Sequence, residues 1–148
     1  MKLHHIGYLV ANMEKSIRAF GILGYVLTAE FGGEEIIYDA LRDADICFLR
    51  QETEAGAVVE LISPKSKESP VYGLLSKYKN SPYHLCFDVE DREAEITRLK
   101  ENGWMIMQED APAVAIGGRH VTFLMNRFAG IMELVYDAPE GGDADEQR

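Results

Sequence analysis

One segment of the chain occurs twice, and this internal repeat constrains the fold more than any other feature. Residues 5–25 align without a gap on residues 84–104, an offset of 79 positions. Each copy opens with a histidine, continues as an apolar strand and a helical pattern, and ends at a glycine followed by an aromatic residue. The aligned pairs are His5 with His84, Val10 with Val89, Ile17 with Ile96, Phe20 with Leu99, Gly24 with Gly103 and Tyr25 with Trp104. Such a repeat predicts two similar structural modules.

Each copy is also followed by the same kind of closing strand. Residues 57–62 and 130–135 are apolar except for one glutamate each, in the shared pattern small-apolar-apolar-Glu-Leu-apolar. The two glutamates are Glu60 and Glu133. A carboxylate among apolar neighbours is costly to bury unless a partner compensates its charge. Each module therefore carries one histidine and one glutamate at matching places.

The apolar runs and turn signals predict the element order β-α-β-β-β in each module. The predicted bounds are 1–63 for the first module, 64–82 for a linker with a short helix, 83–136 for the second module and 137–148 for an acidic, disordered tail. We expect helices at 12–23 and 91–101, with Asn12 as an N-cap. Ser69-Pro70 can start the linker helix, and Gly32-Gly33 predicts a turn.

Composition limits where the protein works and what it binds. The net charge is −10, of which −4 falls in the tail, and this acidity argues against nucleic acid and anionic membranes as partners. No apolar run is long enough to span a bilayer, and strand-forming residues follow Met1 at once, so we expect no signal peptide. Two cysteines, Cys47 and Cys86, are too few for a disulfide framework. A cytoplasmic protein is expected.

The matched residues His5, Glu60, His84 and Glu133 are candidate ligands of one divalent metal ion. Imidazole nitrogen and carboxylate oxygen suit such ions, and two glutamates neutralise a charge of +2. Because strand residues alternate faces, one inward position on each of four strands can converge. Taken singly, each residue is more often structural than functional, but the recurrence of both types at corresponding positions favours a metal site.

The repeat motifs resemble those of one superfamily. The motifs are Leu3-His4-His5-Ile6-Gly7-Tyr8, Val59-Glu60-Leu61-Ile62-Ser63-Pro64, Tyr83-His84-Leu85-Cys86-Phe87-Asp88-Val89 and Gly130-Ile131-Met132-Glu133-Leu134. From residue 3 to 136 the chain resembles the vicinal oxygen chelate superfamily, which includes glyoxalases, bleomycin resistance proteins and dioxygenases. The resemblance implies an α+β fold of two tandem βαβββ modules, with a curved, cup-shaped sheet around a divalent metal. It assigns His5, Glu60, His84 and Glu133 as ligands. His4 precedes His5 in the strand and is expected on the opposite face.

Within this superfamily the ligand set is similar to those of glyoxalase I and methylmalonyl-CoA epimerase. The resemblance implies a metal-dependent isomerase, epimerase or lyase that removes a proton next to a metal-polarised carbonyl. It makes Glu133 the preferred proton base, with Glu60 as the other candidate. The metal would be Zn, Ni, Co or Mn, and the substrate an acyl-CoA or a thiol hemithioacetal. The segment 68–75 is similar to the epimerase linker. A homodimer is expected.

Two other functions stay open at the level of sequence. An iron-dependent extradiol-type dioxygenase of the same superfamily would use two histidines and one carboxylate, so the fourth ligand Glu60 argues against it. A metal-free small-molecule binding protein of the bleomycin resistance type would have no reason to keep four matched ligands. Arg119 and His120 lie near the expected mouth of the cup and could bind an anion, although surface charge is the favoured interpretation.

Overall fold

A computed structural model describes residues 1–31, 34–53 and 56–138 of the 148-residue chain. The predicted turn at Gly32-Gly33 and the predicted disordered tail from residue 139 onward lie outside the described residues. Within the described part of the chain, no helix is long and apolar enough to cross a membrane.

Nine strands and three helices make up the described chain. The strands are β1 (Lys2–Leu9), β2 (Tyr25–Thr28), β3 (Ile36–Asp39), β4 (Ala44–Gln51), β5 (Val59–Pro64), β6 (Ser81–Asp88), β7 (Met105–Pro112), β8 (His120–Asn126) and β9 (Gly130–Tyr136). The helices are α1 (Met13–Gly21), α2 (Pro70–Tyr78) and α3 (Arg92–Glu101), and a 3-10 turn covers Val114–Ile116. This content confirms the predicted α+β class.

The strands form a single open sheet whose two halves have the same topology. The strand order is β2-β4-β5-β1-β6-β9-β8-β7, with β3 also paired to β4. Strands β2 and β3 pair with successive halves of β4, so together they occupy one sheet position. In each half the first strand is parallel to the last, β1 to β5 and β6 to β9. The halves join through the antiparallel pair β1–β6 at the centre. The predicted βαβββ repeat is confirmed.

Each helix begins where the sequence supplies an N-cap. The side chains of Asn12, Ser69 and Asp91 accept hydrogen bonds from the backbone N–H groups of Lys15, Val71 and Ala94, respectively. A cap of this kind satisfies one of the backbone donors that a helix start leaves free. Helix α1 ends at Gly21, two residues before the predicted end at Leu23, whose side chain is exposed.

The two faces of the sheet have different partners. On one face, α1 packs over residues of β4 and β5 that include Cys47 and Leu61, and α3 packs over β8 and β9 residues that include Leu134. Because neighbouring strand residues point to opposite faces, Glu60 and Glu133 lie on the other face. That face carries the central apolar cluster, which includes Phe48 and Val135. The helices therefore cover one side, and the glutamates lie inside the curved side.

Leu61 and Leu134 follow the two glutamates and are fully buried under the outer helices. We expect Leu61→Ala and Leu134→Ala each to lower the free energy of unfolding by about 2–5 kcal/mol, because each leaves a cavity in the core. Leu41→Ala is the control, since Leu41 is 61% exposed, and its effect should stay within about 0.5 kcal/mol. Urea unfolding followed by circular dichroism measures all three. Small effects at positions 61 and 134 would contradict the assigned packing.

Candidate metal centre

The four predicted ligands come from the four central strands of the sheet, β1, β5, β6 and β9. Their convergence follows from the strand register. Gly7, two residues after His5, is paired with both Glu60 and His84. Cys86, two residues after His84, is paired with both Glu133 and His5. The repeat thus places the histidine of each half beside the glutamate of its own half and the histidine of the other.

The four side chains meet at the tips that would face an ion. His5 Nε2 lies 3.2 Å from His84 Nε2, 3.4 Å from Glu60 Oε2 and 3.2 Å from Glu133 Oε2. His84 Nε2 lies 3.6 Å from Glu60 Oε2 and 3.2 Å from Glu133 Oε2. Around an ion with ligand distances of about 2.1 Å, neighbouring ligand atoms lie roughly 3.0–3.4 Å apart in octahedral or tetrahedral geometry. Four of the five measured separations fall within this range, and the fifth, between His84 and Glu60, is 0.2 Å longer than its upper limit.

All four side chains are buried, and no lysine or arginine in the described part of the chain forms an ion pair with either glutamate. His5, His84, Glu133 and Glu60 are 1%, 4%, 5% and 8% exposed. Oε2 of Glu133 makes no well-oriented hydrogen bond to any described residue, although both Nε2 atoms are near it. A buried polar atom without a partner requires an explanation, and a cation between the four tips would provide it.

The ionisation of the cluster shows the same need for positive charge. Burial lowers the pKa of His5, but the close contacts with the charged Glu60 and Glu133 outweigh burial and raise this pKa to about 10. Burial raises the pKa of Glu133, but its contacts with His5 and His84 outweigh burial and hold the pKa well below its usual range. Two buried carboxylates therefore draw a proton onto the cluster when no metal compensates them.

A glycine makes room for one of the histidines. A Cβ atom added to Gly7 would lie 2.0–2.5 Å from ring atoms of His84, far inside van der Waals contact. The imidazole of His84 therefore lies directly over the backbone of β1. A glycine inside a strand signals close approach of another group, but the sequence alone does not identify His84 as that group.

His4 is not on the opposite face, contrary to the sequence-based expectation. The pairing of β1 with β6 shifts register between Leu3 and His5, and this irregularity breaks the alternation on which the expectation rested. His4 Nδ1 lies 2.8 Å from His5 Nδ1, and its ring packs against Phe31. A contact to the second nitrogen of a metal-binding imidazole fixes the orientation of the ring.

Cys86 lies beside the cluster but is a poor ligand. It is fully buried, and burial and the nearby Glu133 raise the pKa of its thiol. The thiolate, which is the form that binds metals, is therefore disfavoured. The donor set stays two imidazoles and two carboxylates.

Arg119 and His120 take part in ion pairs away from the cluster. Arg119 donates to both carboxylate oxygens of Asp88, at 3.1 and 2.8 Å, and to Asp137 at 2.9 Å. His120 Nδ1 lies 2.9 Å from Asp110. Both residues already have acidic partners, which agrees with the favoured interpretation as surface charge.

An apolar groove lies beside the cluster. Phe48 flanks His5 and Phe123 flanks His84, each with ring centroids 5.3 Å apart. The small cavity around the cluster shares four lining residues with a neighbouring groove of about 260 Å³. The shared residues are Arg42, Ile62, Tyr83 and Phe123. Val71 and Leu74 of α2 form part of the groove wall. The groove therefore lies directly beside the cavity that holds the ligands, with α2 as part of its wall.

Comparisons with known proteins identify the family and relatives of this chain. Residues 4–123 match the Glyoxalase/Bleomycin resistance protein/Dioxygenase superfamily. The chain is 28% identical over 124 residues to an ethylmalonyl-CoA/methylmalonyl-CoA epimerase of Cereibacter sphaeroides, covering 83% of this chain and 87% of that protein. It is 30% identical over 124 residues to a mitochondrial methylmalonyl-CoA epimerase of Bos taurus, covering 83% of this chain and 66% of that protein.

A solved structure has the same fold. The crystal structure of a hypothetical protein from Bacillus halodurans superposes with a TM-score of 0.76 at 25% sequence identity, covering 96% of this chain and 98% of the other. The sheet that positions the four side chains is thus a known architecture.

The close contact at Gly7 gives a test of the centre that does not touch a ligand. We expect Gly7→Ala to weaken zinc binding by about tenfold or more, because the added methyl group displaces the His84 ring. Gly73→Ala is the control, since a Cβ there meets nothing within 4 Å. Metal affinity is measured by competition with a chromogenic chelator, and circular dichroism verifies folding. Wild-type affinity in a folded Gly7→Ala variant would contradict the proposed role of His84.

Proposed function

Because the chain belongs to the Glyoxalase/Bleomycin resistance protein/Dioxygenase superfamily, we propose that it is a divalent-metal-dependent isomerase of the epimerase type. The proposed reaction removes a proton from the carbon next to the carbonyl of an acyl-CoA thioester. The observation that carries this proposal is the convergence of two imidazoles and two carboxylates at one buried point. The epimerase names of the relatives support the reaction class.

The proposed ligands are His5, Glu60, His84 and Glu133. Four ligands leave two positions open on a six-coordinate ion such as Zn, Ni, Co or Mn, and the two glutamates balance its charge. An ion held there would act as a Lewis acid on the carbonyl oxygen of the substrate. The apolar rings of Phe48 and Phe123 beside the histidines keep water from this region and strengthen electrostatic interactions inside it.

Glu133 is the proposed proton base, with Glu60 as the second candidate. A carboxylate is a weak base while two imidazoles and a cation surround it, because its pKa is held low. Glu133 must therefore move away from the cluster before it accepts the proton from carbon. In this proposal Glu60, from the other half of the sheet, carries a proton of its own and gives it to the opposite face of the carbon, which inverts the centre; Glu133 then releases its proton to solvent and Glu60 regains one.

The acyl-CoA substrate is favoured over a thiol hemithioacetal for two reasons. Both relatives with printed activities act on CoA thioesters by name, and the groove that leads to the cluster is mostly apolar, which suits an acyl chain. The buried fourth ligand Glu60 speaks against a dioxygenase with a two-histidine, one-carboxylate set. The matched four-ligand cluster speaks against a metal-free binding protein.

The proposed enzyme is a cytoplasmic homodimer. Both cysteines are buried free thiols, which suits a reducing compartment. Strands β2 and β7 end the sheet, and Met105 and Met107 on β7 are exposed. Open sheet edges with apolar side chains are usually covered by another chain. Light scattering after gel filtration measures the assembly, and a monomer at micromolar concentration would contradict this part of the proposal.

Glu133→Gln tests the base directly. The amide keeps an oxygen for the metal but cannot accept a proton, so zinc content should stay near that of wild type. Exchange of the acidic proton of methylmalonyl-CoA in heavy water should fall by about 10²–10⁴-fold. Mass spectrometry measures both quantities, and a methylglyoxal–thiol adduct is assayed in parallel.

Three outcomes separate the possibilities. Exchange that persists in Glu133→Gln removes Glu133 from the role of base. Exchange only with the thiol adduct favours a lyase over a CoA epimerase. Wild-type protein that holds zinc but exchanges no substrate, and takes up oxygen when loaded with iron, contradicts the proposed reaction class.

A further inference from the structure

Arg42 is a buried cation at the junction of the ligand cluster and the groove. It is 9% exposed and lines both the cavity around His5, Glu60 and Glu133 and the neighbouring groove. Among the described residues that line these two spaces, it is the one arginine or lysine. A buried guanidinium is costly unless its donors are satisfied.

Hydrogen bonds within the protein satisfy only some of the N–H donors of this guanidinium. Its Nη1 donates to Asp39 Oδ2 at 2.5 Å, and Asp39 Oδ1 accepts from the backbone N–H of Leu41 at 2.9 Å. The carbonyl of Arg42 accepts from Ser69 Oγ at 2.7 Å. These bonds fix the turn after β3 and tie it to the start of α2. The other terminal nitrogen, Nη2, is buried and has no partner among the described residues.

The surroundings of Nη2 leave an anion as the natural acceptor. The groove is lined by apolar side chains such as Ile62, Val71 and Leu74, with Tyr83 and Gln108 as its other polar residues. Asp39 already holds one edge of the guanidinium in place, so the group loses little freedom when a second acceptor binds. A fixed, planar guanidinium with a free edge is suited to a carboxylate.

We propose that Arg42 binds a free carboxylate on the acyl group of the substrate. This inference rests on the proposed function and names its substrate class: a thioester whose acyl part carries a second, negatively charged carboxyl group near the reacting carbon. Arg42 lines the same cavity as His5, Glu60 and Glu133, so the proposal places the carbonyl of a short acyl group toward these ligands and its carboxylate toward Arg42. Acyl groups that end in a methyl group leave Nη2 without an acceptor.

Two thioesters of equal shape test this assignment. Methylmalonyl-CoA and isobutyryl-CoA differ only in a carboxylate in place of a methyl group. Calorimetric titration of zinc-loaded wild-type protein should show tighter binding of methylmalonyl-CoA, by about tenfold or more, because a charged hydrogen bond is lost with isobutyryl-CoA.

The variants keep the buried charges balanced. Asp39→Asn/Arg42→Met removes both members of the ion pair, so that no lone charge is left buried, and asparagine keeps the oxygen that caps the turn. Glu95→Gln/Arg98→Met is the matched control, because it removes one ion pair on the exposed side of α3, changes the net charge equally and leaves Asp39 and Arg42 in place. The preference for methylmalonyl-CoA should fall by about tenfold in the first variant and persist in the control.

The outcomes for Arg42 and for the enzyme are separable. Equal affinity of wild type for the two thioesters, or no binding of either, overturns the assignment without any variant. The assignment is also overturned if both double variants prefer methylmalonyl-CoA over isobutyryl-CoA to the same degree. If the protein catalyses proton exchange but binds both thioesters equally, the proposed role of Arg42 is refuted and the proposed reaction stands. If the protein prefers the carboxylated thioester through Arg42 but catalyses no proton exchange, the proposed reaction is refuted and the assignment of Arg42 as a carboxylate-binding residue stands.

Discussion

Two buried carboxylates that face two imidazoles determine the centre of this protein. Glu60 and Glu133 lie inside an apolar cup, and among the described residues neither forms an ion pair with a lysine or an arginine. Such an arrangement is stable only with positive charge between the four tips. In the absence of an ion, a proton on His5 supplies part of this charge, which is why the pKa of His5 rises to about 10. A divalent ion would balance the two carboxylates completely.

The fold places these four side chains at the middle of the sheet. The two halves join through β1 and β6, and the residue two positions after each histidine lies between the other histidine and a glutamate. These two residues are Gly7 and Cys86, both small. A repeated strand register thus brings four distant residues together, and the outer helices stabilise the strands without contacting the centre. The surrounding apolar groove then determines what can reach it.

Much of the fold and of the candidate site could be predicted from the sequence, because a duplication leaves similar segments in the two halves of the chain. The element order, the α+β class and the two histidines follow from segments that match across 79 positions, and the two glutamates follow from closing strands that share one pattern. Features without a repeated partner were missed. His4 contacts His5 because of an irregularity in β1, which no side-chain pattern reveals. Arg42 becomes buried through one turn and a contact with Ser69, both of which depend on tertiary packing.

The most direct test of the account is crystallographic. Crystals of the protein grown with zinc, with diffraction data collected above and below the zinc absorption edge, locate the ion without reference to activity. The account predicts one anomalous peak between His5 Nε2, His84 Nε2 and the carboxylates of Glu60 and Glu133, about 2.0–2.2 Å from each. An ordered cluster with no peak there, or zinc bound only at other residues, would contradict it.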